Sequence, residues 1–375
     1  METLKFPEGF KWGSATSAYQ VEGGIENNDW AQAAREGKVP LAGKTTDHYH
    51  LYEQDFDLAK SLGHNAHRFS IEWARVEPEE GKFSEEAVEH YRKVLEALRV
   101  RGLEPFVTLY HWTLPLWFVE KGGWLNKDAP KVFSKYCEYI VGRLGDLAKF
   151  WITINEPNVF TSIGYLAGYW PPFKKNIFKY FKAIRHLISA HKMSFGLIKK
   201  INPSPQIGIA QNCIYVQNFP IFRYLFNYYF LNRIKNHQDF IGLNYYFRKH
   251  FPKNENKEVS DLGWEIYPKG IYHVLKELKQ YKKPIYITEN GLADAKDEKR
   301  AKFIKDHLHW AHRAMQEGAD LRGYLHWSLL DNFEWAHGFD PRFGLIEVNY
   351  ETLERRIRPS AWEYVKICQN NQLEI

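Results

Sequence analysis

The sequence has few of the residue types that define several classes of site. Only three cysteines, Cys137, Cys213 and Cys368, occur in 375 residues. This odd, widely spaced set argues against a disulfide framework and against a zinc site built from thiolates. The first residues lack the apolar core of a signal peptide, and no apolar run approaches the ~20 residues that cross a membrane. These absences predict a cytoplasmic protein with no membrane partner.

Charge is abundant but not concentrated enough to define a binding module. The chain has 51 Lys and Arg against 45 Asp and Glu, a formal net charge of +6. Part of the excess lies in 174–192, where apolar residues recur at helical spacing. A basic amphipathic helix of this kind can rest on a membrane or an acidic partner. It is more often a solvated helix with one face in the core, which is our interpretation. No nucleic-acid module is recognisable, so we expect no nucleic-acid partner.

Two patterns suggest a phosphate or metal site but do not fit one. The stretch GKVPLAGKTT resembles a phosphate-binding loop, but one residue too many separates Gly37 from Gly43. The closely spaced histidines are His48 and His50, and His307, His309 and His312 on a predicted surface helix. No cysteine or carboxylate accompanies them at ligand spacing. We therefore expect neither a metal nor a cofactor.

Eight short β-branched or aromatic runs alternate with amphipathic stretches along the chain. The runs are 9–14, 66–72, 104–110, 150–155, 206–213, 240–246, 284–289 and 321–328. The clearest helical pattern is 85–102, with Gly102 as its stop signal. No linker divides the chain. The pattern predicts an α/β protein, a single (β/α)8 TIM barrel over residues 1–375, and a doubly wound open sheet is the alternative.

The carboxyl ends of barrel strands are where functional side chains gather. The predicted ends carry Gln20, Glu72, His111, Glu156, Asn212, Tyr246, Glu289 and Trp327. Glu156, in TINEP, and Glu289, in ITENG, would supply the two carboxyl groups that cleavage of a glycosidic bond requires. A single glutamate at a strand end is more often a structural ion-pair partner. The spacing alone therefore leaves the function open.

These two segments resemble the signature segments of glycoside hydrolase family 1, the β-glucosidase and β-galactosidase family. The likeness extends, in the order of that family, over FPEGFKWGSATSAYQVEGG, HRFSIEWARVEP, LYHWTLP, DFIGLNYY, GWEIYPKGIY and SLLDNFEWAHGFDPRFGLIEVNY. Together they span most of the chain. The resemblance implies a retaining β-glycosidase with β-glucosides as leading substrates and β-galactosides or β-fucosides as secondary ones.

The resemblance also implies the catalytic roles. Glu289 corresponds to the nucleophile and Glu156 to the general acid and base, which in a retaining enzyme lie about 5–5.5 Å apart. Asn155 would bind the sugar 2-OH, and Tyr246 would donate a hydrogen bond to the nucleophile. Arg68 would hold the nucleophile ionised through its positive charge. The alternative for Arg68 is a buried ion pair that serves the scaffold.

A substrate pocket is implied in the same way. Its residues would be Gln20, His111, Trp112, Asn155, Trp264, Trp327, Glu334, Trp335 and Phe343. Trp327 would form the stacking floor and Trp264 would lie on the aglycone side. Trp112 is a weaker candidate that would pack beneath His111. We expect small-molecule β-glycosides or short oligosaccharides as ligands.

Two variants of the family differ at single positions. Phospho-β-glucosidases replace the pair formed here by Glu334 and Trp335, so the sugar should be unphosphorylated. Thioglucosidases lack the acid carboxylate, so Glu156 indicates O-glycosides. A catalytically weak sugar-binding protein is the alternative from another class. A transglycosidase using the same covalent intermediate is the third hypothesis, and residues alone do not separate it from a hydrolase.

The chain departs from the family in the connection between predicted strands five and six. This connection, 214–239, is short and unusually aromatic. Its rings are Phe219, Phe222, Tyr224, Phe226, Tyr228, Tyr229 and Phe230. We expect them to pack on the barrel. The alternatives are an open aglycone entrance or a contact between copies in a homo-oligomer through 219–230. His67 is a second departure, because the family commonly has tyrosine there.

Overall fold

The computed structural model describes residues 2–250 and 257–375. The strands are β1 (Thr3–Lys5), β2 (Lys11–Ala15), β3 (Ala66–Ser70), β4 (Glu104–Thr108), β5 (Phe150–Asn155), β6 (Gln206–Asn212), β7 (Tyr215–Gln217), β8 (Ile241–Asn244), β9 (Arg248–His250), β10 (Ile285–Asn290), β11 (Leu321–Trp327), β12 (Ile346–Val348), β13 (Arg355–Ile357) and β14 (Gln372–Glu374). The helices are α1 (Ala18–Val21), α2 (Asp29–Arg35), α3 (His48–Ser61), α4 (Trp73–Val76), α5 (Glu85–Val100), α6 (Leu116–Glu120), α7 (Ala129–Leu144), α8 (Pro157–Thr161), α9 (Ile177–Ile201), α10 (Pro220–Arg223), α11 (Tyr229–Ile234), α12 (Lys269–Leu278), α13 (Arg300–Gln316) and α14 (Pro359–Asn370). π-helical turns at Ser162–Ala167 and Tyr224–Tyr228 continue α8 and α10.

Eight parallel strands form a closed barrel in the order β2, β3, β4, β5, β6, β8, β10, β11. The ring closes where β11 pairs with β2, with Trp327 beside Ala15. These are the eight strands that the sequence predicts, and each begins and ends within two residues of its predicted run. Closure excludes the open doubly wound sheet. The six remaining strands have three residues each and form three two-stranded pairs outside the barrel. The sequence pattern did not reveal them.

The interior of the barrel is built in layers. An apolar layer contains Ala66, Phe106, Phe150, Ile152, Ala210, Phe240, Tyr286 and Leu325. Phe106 and Phe150 stack with ring centroids 4.4 Å apart. Because side chains alternate along a strand, the residue two positions later faces the interior again. On β3 and β4 those residues are Arg68 and Thr108. A polar layer therefore lies directly above the packed floor.

Helix α5 confirms the clearest helical prediction. Ser84 caps its first turn by accepting a hydrogen bond from the Ala87 amide at 3.2 Å. Its apolar face, which includes Val88 and Leu95, is buried. The chain leaves the helix through Gly102, whose φ of +68° suits a residue without Cβ.

Helix α9 agrees only partly with its prediction. Ile184, Leu187 and Ile188 are buried in the core, as expected of a solvated helix with one apolar face. Ile177 and Phe178, counted with that face in the sequence, are instead exposed at its first turn. The reason is that the core contact begins with Tyr180 and Phe181, about one turn into the helix.

The suspected metal ligands occupy ordinary structural positions. His48 lies within 2.7 Å of the Asp55 carboxylate, and His50 lies within 2.6 Å of Asp47. The prediction of a surface helix is wrong for His307 and His312, which are both buried. Among the described residues, no group of three or more His, Cys, Asp or Glu is arranged to hold a metal.

Cysteines and helices add two facts about the described part of the chain. Its three cysteines are buried and unpaired. None of the helices in residues 2–250 and 257–375 combines the length and the apolar character that crossing a membrane requires.

The short connection 214–239 folds into β7, α10, a π-helical turn and α11. Tyr228 and Phe230 are buried, so these rings pack on the barrel as predicted. The Asn227 side chain fixes the segment by bonding both the amide and the carbonyl of Ile214, at 3.1 and 2.8 Å. Phe219 and Tyr224 are exposed, so packing does not account for the outer half.

A buried ion pair joins α3 to β13. Arg355 Nε and Nη2 donate to the Asp55 carboxylate at 2.9 and 3.1 Å, and both side chains are almost fully enclosed. Removing Arg355 leaves the buried Asp55 carboxylate with its contact to His48 but without its guanidinium partner, so the buried charge is poorly compensated. We expect Arg355→Leu to lower the free energy of unfolding by about 3–5 kcal/mol in urea titrations. Arg356→Leu, at the exposed next position, is the control. Equal stability of the two variants would contradict this role.

Candidate active site

The carboxyl ends of the barrel strands bring the predicted catalytic side chains to one opening. Glu289 lies within β10, and Arg68 lies on β3. Asn155 ends β5, and Glu156 follows it at the start of α8. Tyr246 follows β8 by two residues. All five are buried, and Arg68, Asn155 and Glu289 lie within strands of the barrel.

The Glu289 carboxylate is held on both oxygens. Arg68 Nη1 donates to Oε1, and the Tyr246 hydroxyl donates to Oε2 at 2.7 Å. Burial and the negative charges of Glu289 and Glu156 raise the pKa of Tyr246 well above its usual value, so its hydroxyl keeps its proton. Arg68 is fully buried and its ion pair is formed with Glu289 itself. The two interpretations of Arg68 therefore describe one contact.

Glu156 occupies an unusual backbone conformation. Its φ of +44° lies in the left-handed region, which non-glycine residues rarely adopt, and Pro157 begins α8 directly after it. Its Oε1 accepts hydrogen bonds from Asn212 Nδ2 at 2.9 Å and Asn244 Nδ2 at 2.8 Å. Burial and the charge of Glu289 outweigh these bonds and raise the pKa of Glu156 to about 8. The carboxyl group is therefore protonated at neutral pH.

Asparagine side chains connect the two carboxyl groups. Asn155 Oδ1 accepts from Arg68 Nη2 at 2.7 Å and from Asn244 Nδ2 at 3.2 Å. Asn244 is fixed in turn by Thr288, whose hydroxyl donates to its Oδ1 at 2.7 Å. The sequence analysis named no role for Asn244. The signal for Asn244 in the sequence was an amide side chain near the end of the predicted strand 240–246, two residues before Tyr246.

His111 presents an unused donor to the site. Asn155 Nδ2 donates to His111 Nε2 at 3.0 Å, which places the ring proton on Nδ1. Burial and the nearby charge of Arg68 lower the pKa of His111 well below its usual value, so the ring is neutral. Nδ1 is buried and has no hydrogen-bond partner among the described residues. An unpaired buried donor is costly unless a ligand satisfies it.

Gln20 and Glu334 meet across the junction of the first and last barrel strands. Gln20 lies on α1 and not at the end of β2, which corrects the strand-end prediction. Its amide Nε2 donates to Asn332 Oδ1 and the Phe333 carbonyl, both at 2.9 Å, and to Glu334 at 3.4 Å. Burial and the charges of Glu289 and Glu156 raise the pKa of Glu334 to about 8. The pair forms a polar edge of the opening.

An aromatic wall lines another side. Trp327 ends β11, and its ring is nearly parallel to that of His111, with centroids 6.1 Å apart. Trp264 is partly exposed and contacts Tyr246 and Phe343, at centroid distances of 5.6 and 6.1 Å. Trp327, Phe343 and Trp264 therefore belong to one packed cluster with Tyr246.

Trp335 and Trp112 are packed more deeply than the pocket prediction suggests. Their ring centroids are 4.7 Å apart, and both contact Trp170, which the sequence analysis did not identify. Trp112 lies against His111 and donates from Nε1 to the Asn155 carbonyl at 3.1 Å. Packing beneath His111 is confirmed for Trp112.

Glu72 is a strand-end carboxylate that the structure keeps apart from this network. Its Oε2 accepts from the Thr113 hydroxyl at 2.8 Å, and its Oε1 caps α4 at the Ala74 amide. Its hydrogen bonds support the backbone beside His111 and Trp112. This is the structural role that a single strand-end glutamate most often has.

Comparisons with known sequences agree with the geometry. The chain matches the family described as Glycosyl hydrolase family 1 over residues 2–220 and 224–373. The interruption falls inside the short connection 214–239. The chain is 34% identical to Beta-glucosidase A of Thermotoga maritima in an alignment of 445 positions that covers all of both chains. It is 31% identical to a Beta-galactosidase of Pyrococcus woesei, covering 98% of this chain and 97% of that one.

Solved structures show the same likeness. A beta-glycosidase from Pyrococcus horikoshii has a TM-score of 0.94 and 40% identity, covering 100% of this chain and 97% of the other. A Beta-glucosidase from Thermotoga maritima in complex with deoxynojirimycin has a TM-score of 0.93 and 33% identity, covering 99% and 100%. The likeness in fold thus extends along the whole chain.

Proposed function

We propose that this chain, which belongs to glycosyl hydrolase family 1, is a retaining β-glycosidase with Glu289 as its nucleophile and Glu156 as its general acid and base. The observation that carries the assignment is the difference between the two carboxyl environments. Both groups are buried, but Glu289 accepts from a guanidinium and a hydroxyl, whereas Glu156 accepts from two amide groups and has a pKa raised to about 8. Because the environments of the two carboxyl groups differ in this way, one group suits a basic role and the other an acidic role.

The first half of the reaction forms a covalent glycosyl-enzyme. The carboxylate of Glu289 attacks the anomeric carbon while protonated Glu156 gives its proton to the departing oxygen. Arg68 and Tyr246 keep Glu289 oriented, since each of its oxygens has one donor. Asn155, tied to Arg68 and His111, supports the sugar 2-OH, a contact that strengthens in the transition state.

The second half releases the sugar with water. Once Glu289 is esterified its negative charge is lost, and this charge is one cause of the raised pKa of Glu156. The pKa of Glu156 therefore falls, and the group becomes a base that removes a proton from the entering water. Hydrolysis of the glycosyl-enzyme restores the free carboxylate of Glu289 and the protonated form of Glu156. The cycle uses only side chains of this chain.

The polar side chains around the opening support recognition of a terminal, unphosphorylated sugar. His111 offers its unpaired Nδ1–H, and Gln20 with Glu334 offers adjacent groups for neighbouring hydroxyls, above the ring of Trp327. β-D-Glucosides are the proposed leading substrates, in keeping with the similar glucosidases, and β-galactosides and β-fucosides are secondary. Trp335 would contribute at the polar edge and Phe343 at the wall, with Trp264 on the aglycone side.

Two further properties are part of the proposal. We take residues 1–375 as one domain, since β1 pairs with β14 and joins both ends of the described chain. We expect a cytoplasmic location, which agrees with three unpaired buried cysteines. A homo-oligomer through 219–230 and a transglycosylating activity stay predictions. A purely sugar-binding protein is not favoured, because nucleophile and acid candidates are both in place.

The anomeric outcome tests the proposal. Proton NMR of the first sugar released from an aryl β-glucoside should show the β-anomer, with the α-anomer appearing later by mutarotation. Retention follows from two displacements at the same carbon. An α-anomer as first product would overturn the roles assigned to Glu289 and Glu156.

The alkaline limb of the pH profile should report Glu156. With its pKa at about 8, kcat/KM for a glycoside with a poor leaving group should fall as pH rises through that value, because the acid form is lost. Asn212→Ala removes a donor that favours the ionised form. The pKa of Glu156 should rise, so the limb should move to higher pH. A limb that stays fixed would contradict this assignment.

A further inference from the structure

Residues 157–238 contain no Asp or Glu but eleven Lys and Arg. The whole chain has a formal net charge of +6, so this stretch carries more than the entire excess. Lys174, Lys175, Lys179 and Lys182 are exposed, and none of them forms an ion pair with a carboxylate in the described residues. The positive charge is thus both uncompensated and accessible at the beginning of α9.

The same stretch exposes large apolar side chains beside these lysines. They are Leu166, Tyr169, Ile177, Phe178, Phe219, Ile221, Tyr224 and Leu225. Phe178 is 81% exposed and Tyr169 is 71% exposed. Single exposed apolar residues are common, but a cluster of this size next to unpaired lysines marks an interaction surface.

The two halves of the cluster are neighbours. They follow β5 and β6, which pair in the barrel. Asn158 on α8 donates to the Phe226 carbonyl at 3.1 Å, and the rings of Phe181 and Tyr229 are 6.3 Å apart. Residues 166–182 and 219–225, here named the basic apolar face, therefore lie together at the end of the barrel that carries the active site.

The positive charge of this face distinguishes between the kinds of partner that could bind there. The predicted homo-oligomer through 219–230 is therefore not favoured, because two copies meeting through this face would bring four lysines of one copy close to four of the other, and like charges repel at close range. A nucleic acid would satisfy the charge but not the exposed Ile177, Leu166 and Ile221. An anionic lipid surface satisfies both, because lysines attract its headgroups while aromatic and aliphatic side chains enter the interface.

We propose that the basic apolar face binds the surface of membranes rich in anionic phospholipid. The binding is peripheral and requires no membrane-spanning helix. It revises the sequence prediction of no membrane partner, which was based on the absence of a signal peptide and of a membrane-spanning run and on the interpretation of 174–192 as a solvated helix with one face in the core. The active-site opening would then lie close to the lipid headgroups, since it shares this end of the barrel.

Vesicle sedimentation of the full chain tests the proposal. Wild-type protein should sediment with vesicles of equal parts phosphatidylcholine and phosphatidylglycerol, should not sediment with phosphatidylcholine alone, and should be released by salt. Substituting Lys174, Lys175, Lys179 and Lys182 together with Glu should lower the partition by about 10²–10³-fold. The matched control substitutes four exposed lysines elsewhere, Lys93, Lys127, Lys131 and Lys135, with Glu.

A second pair of variants separates lipid from other anionic partners. Ile177→Ser with Phe178→Ser keeps the charge and should lower vesicle binding about 10-fold or more, whereas Leu41→Ser with Val100→Ser, at exposed sites elsewhere, should not. Hydrolysis of a soluble glucoside in the absence of vesicles should be unchanged in all four variants.

The proposal would be overturned if the wild type did not bind the anionic vesicles, or if the lysine control lost as much vesicle binding as the variant of the basic apolar face. Two further results would also overturn the proposal. One is binding to dextran sulfate that is as tight as binding to vesicles and is unaffected by Ile177→Ser with Phe178→Ser. The other is a dimer, detected by light scattering, that dissociates on Phe178→Ser.

Discussion

Replacing Glu289 with glycine is expected to lower kcat/KM for aryl β-glucosides by about 10⁴–10⁶-fold, the range found when a covalent nucleophile is removed. No other carboxylate of the described residues is bonded to both Arg68 and Tyr246, so no neighbour replaces it. Steady-state kinetics with freshly purified protein measure the loss. Full activity of the variant would eliminate the nucleophile assignment.

A second measurement separates a chemical role from a structural one. Arg68 loses its ionic partner in the glycine variant, so a folding defect must be excluded by circular dichroism and urea titration. Glu289→Gln keeps the volume and should be as inactive. Because the charge of Glu289 is one cause of the raised pKa of Glu156, carboxyl ¹³C NMR should show a lower pKa for Glu156 in both variants. Small anions such as azide should restore turnover only in Glu289→Gly, with an α-configured product.

The second large effect is expected for Glu156→Gln and depends on the leaving group. For a disaccharide, whose departing alkoxide needs a proton, kcat/KM should fall about 10²–10⁴-fold. For a dinitrophenyl glucoside, whose phenolate leaves without help, kcat/KM should change little. Its kcat should still fall, because the same residue serves as base in the second step. The alkaline limb of the pH profile should disappear.

The contrast between the two substrates is the decisive feature of this prediction. A residue that only positions the sugar would lower both rates together. Equal losses for the disaccharide and the dinitrophenyl glucoside would therefore contradict the assignment of Glu156 as the acid. Asn244→Ala is a useful comparison, since it removes a donor to Glu156 but leaves the carboxyl group present.

The sequence predicts the barrel because strand periodicity and barrel geometry are local properties. Each of the eight runs is a buried parallel strand, for which continuous β-branched and aromatic residues are typical. Glu156 and Glu289 could be placed for the same reason, since they follow directly from strand ends. The raised pKa of Glu156 could not be predicted, because it depends on burial and on the charge of a residue from a distant segment.

The errors share a physical cause. Gln20 was assigned to a strand end because the turn into α1 leaves no signal in hydrophobic periodicity. Asn244 was overlooked because a buried amide is informative only once its partners, Asn155 and Glu156, are known. Ile177 and Phe178 were placed in the core because their helical spacing is correct, although tertiary structure ends the contact before it reaches them.

The pairing of β11 with β2 has a consequence for protein synthesis. Both catalytic carboxyl groups are present once a ribosome has passed residue 289, but Trp327 and Glu334 come from the segment that closes the ring onto Ala15 and Gln20. A nascent chain that stops before residue 321 keeps seven barrel strands and an open edge. Premature termination products should therefore be catalytically silent, which makes enzymatic activity a direct measure of completed translation.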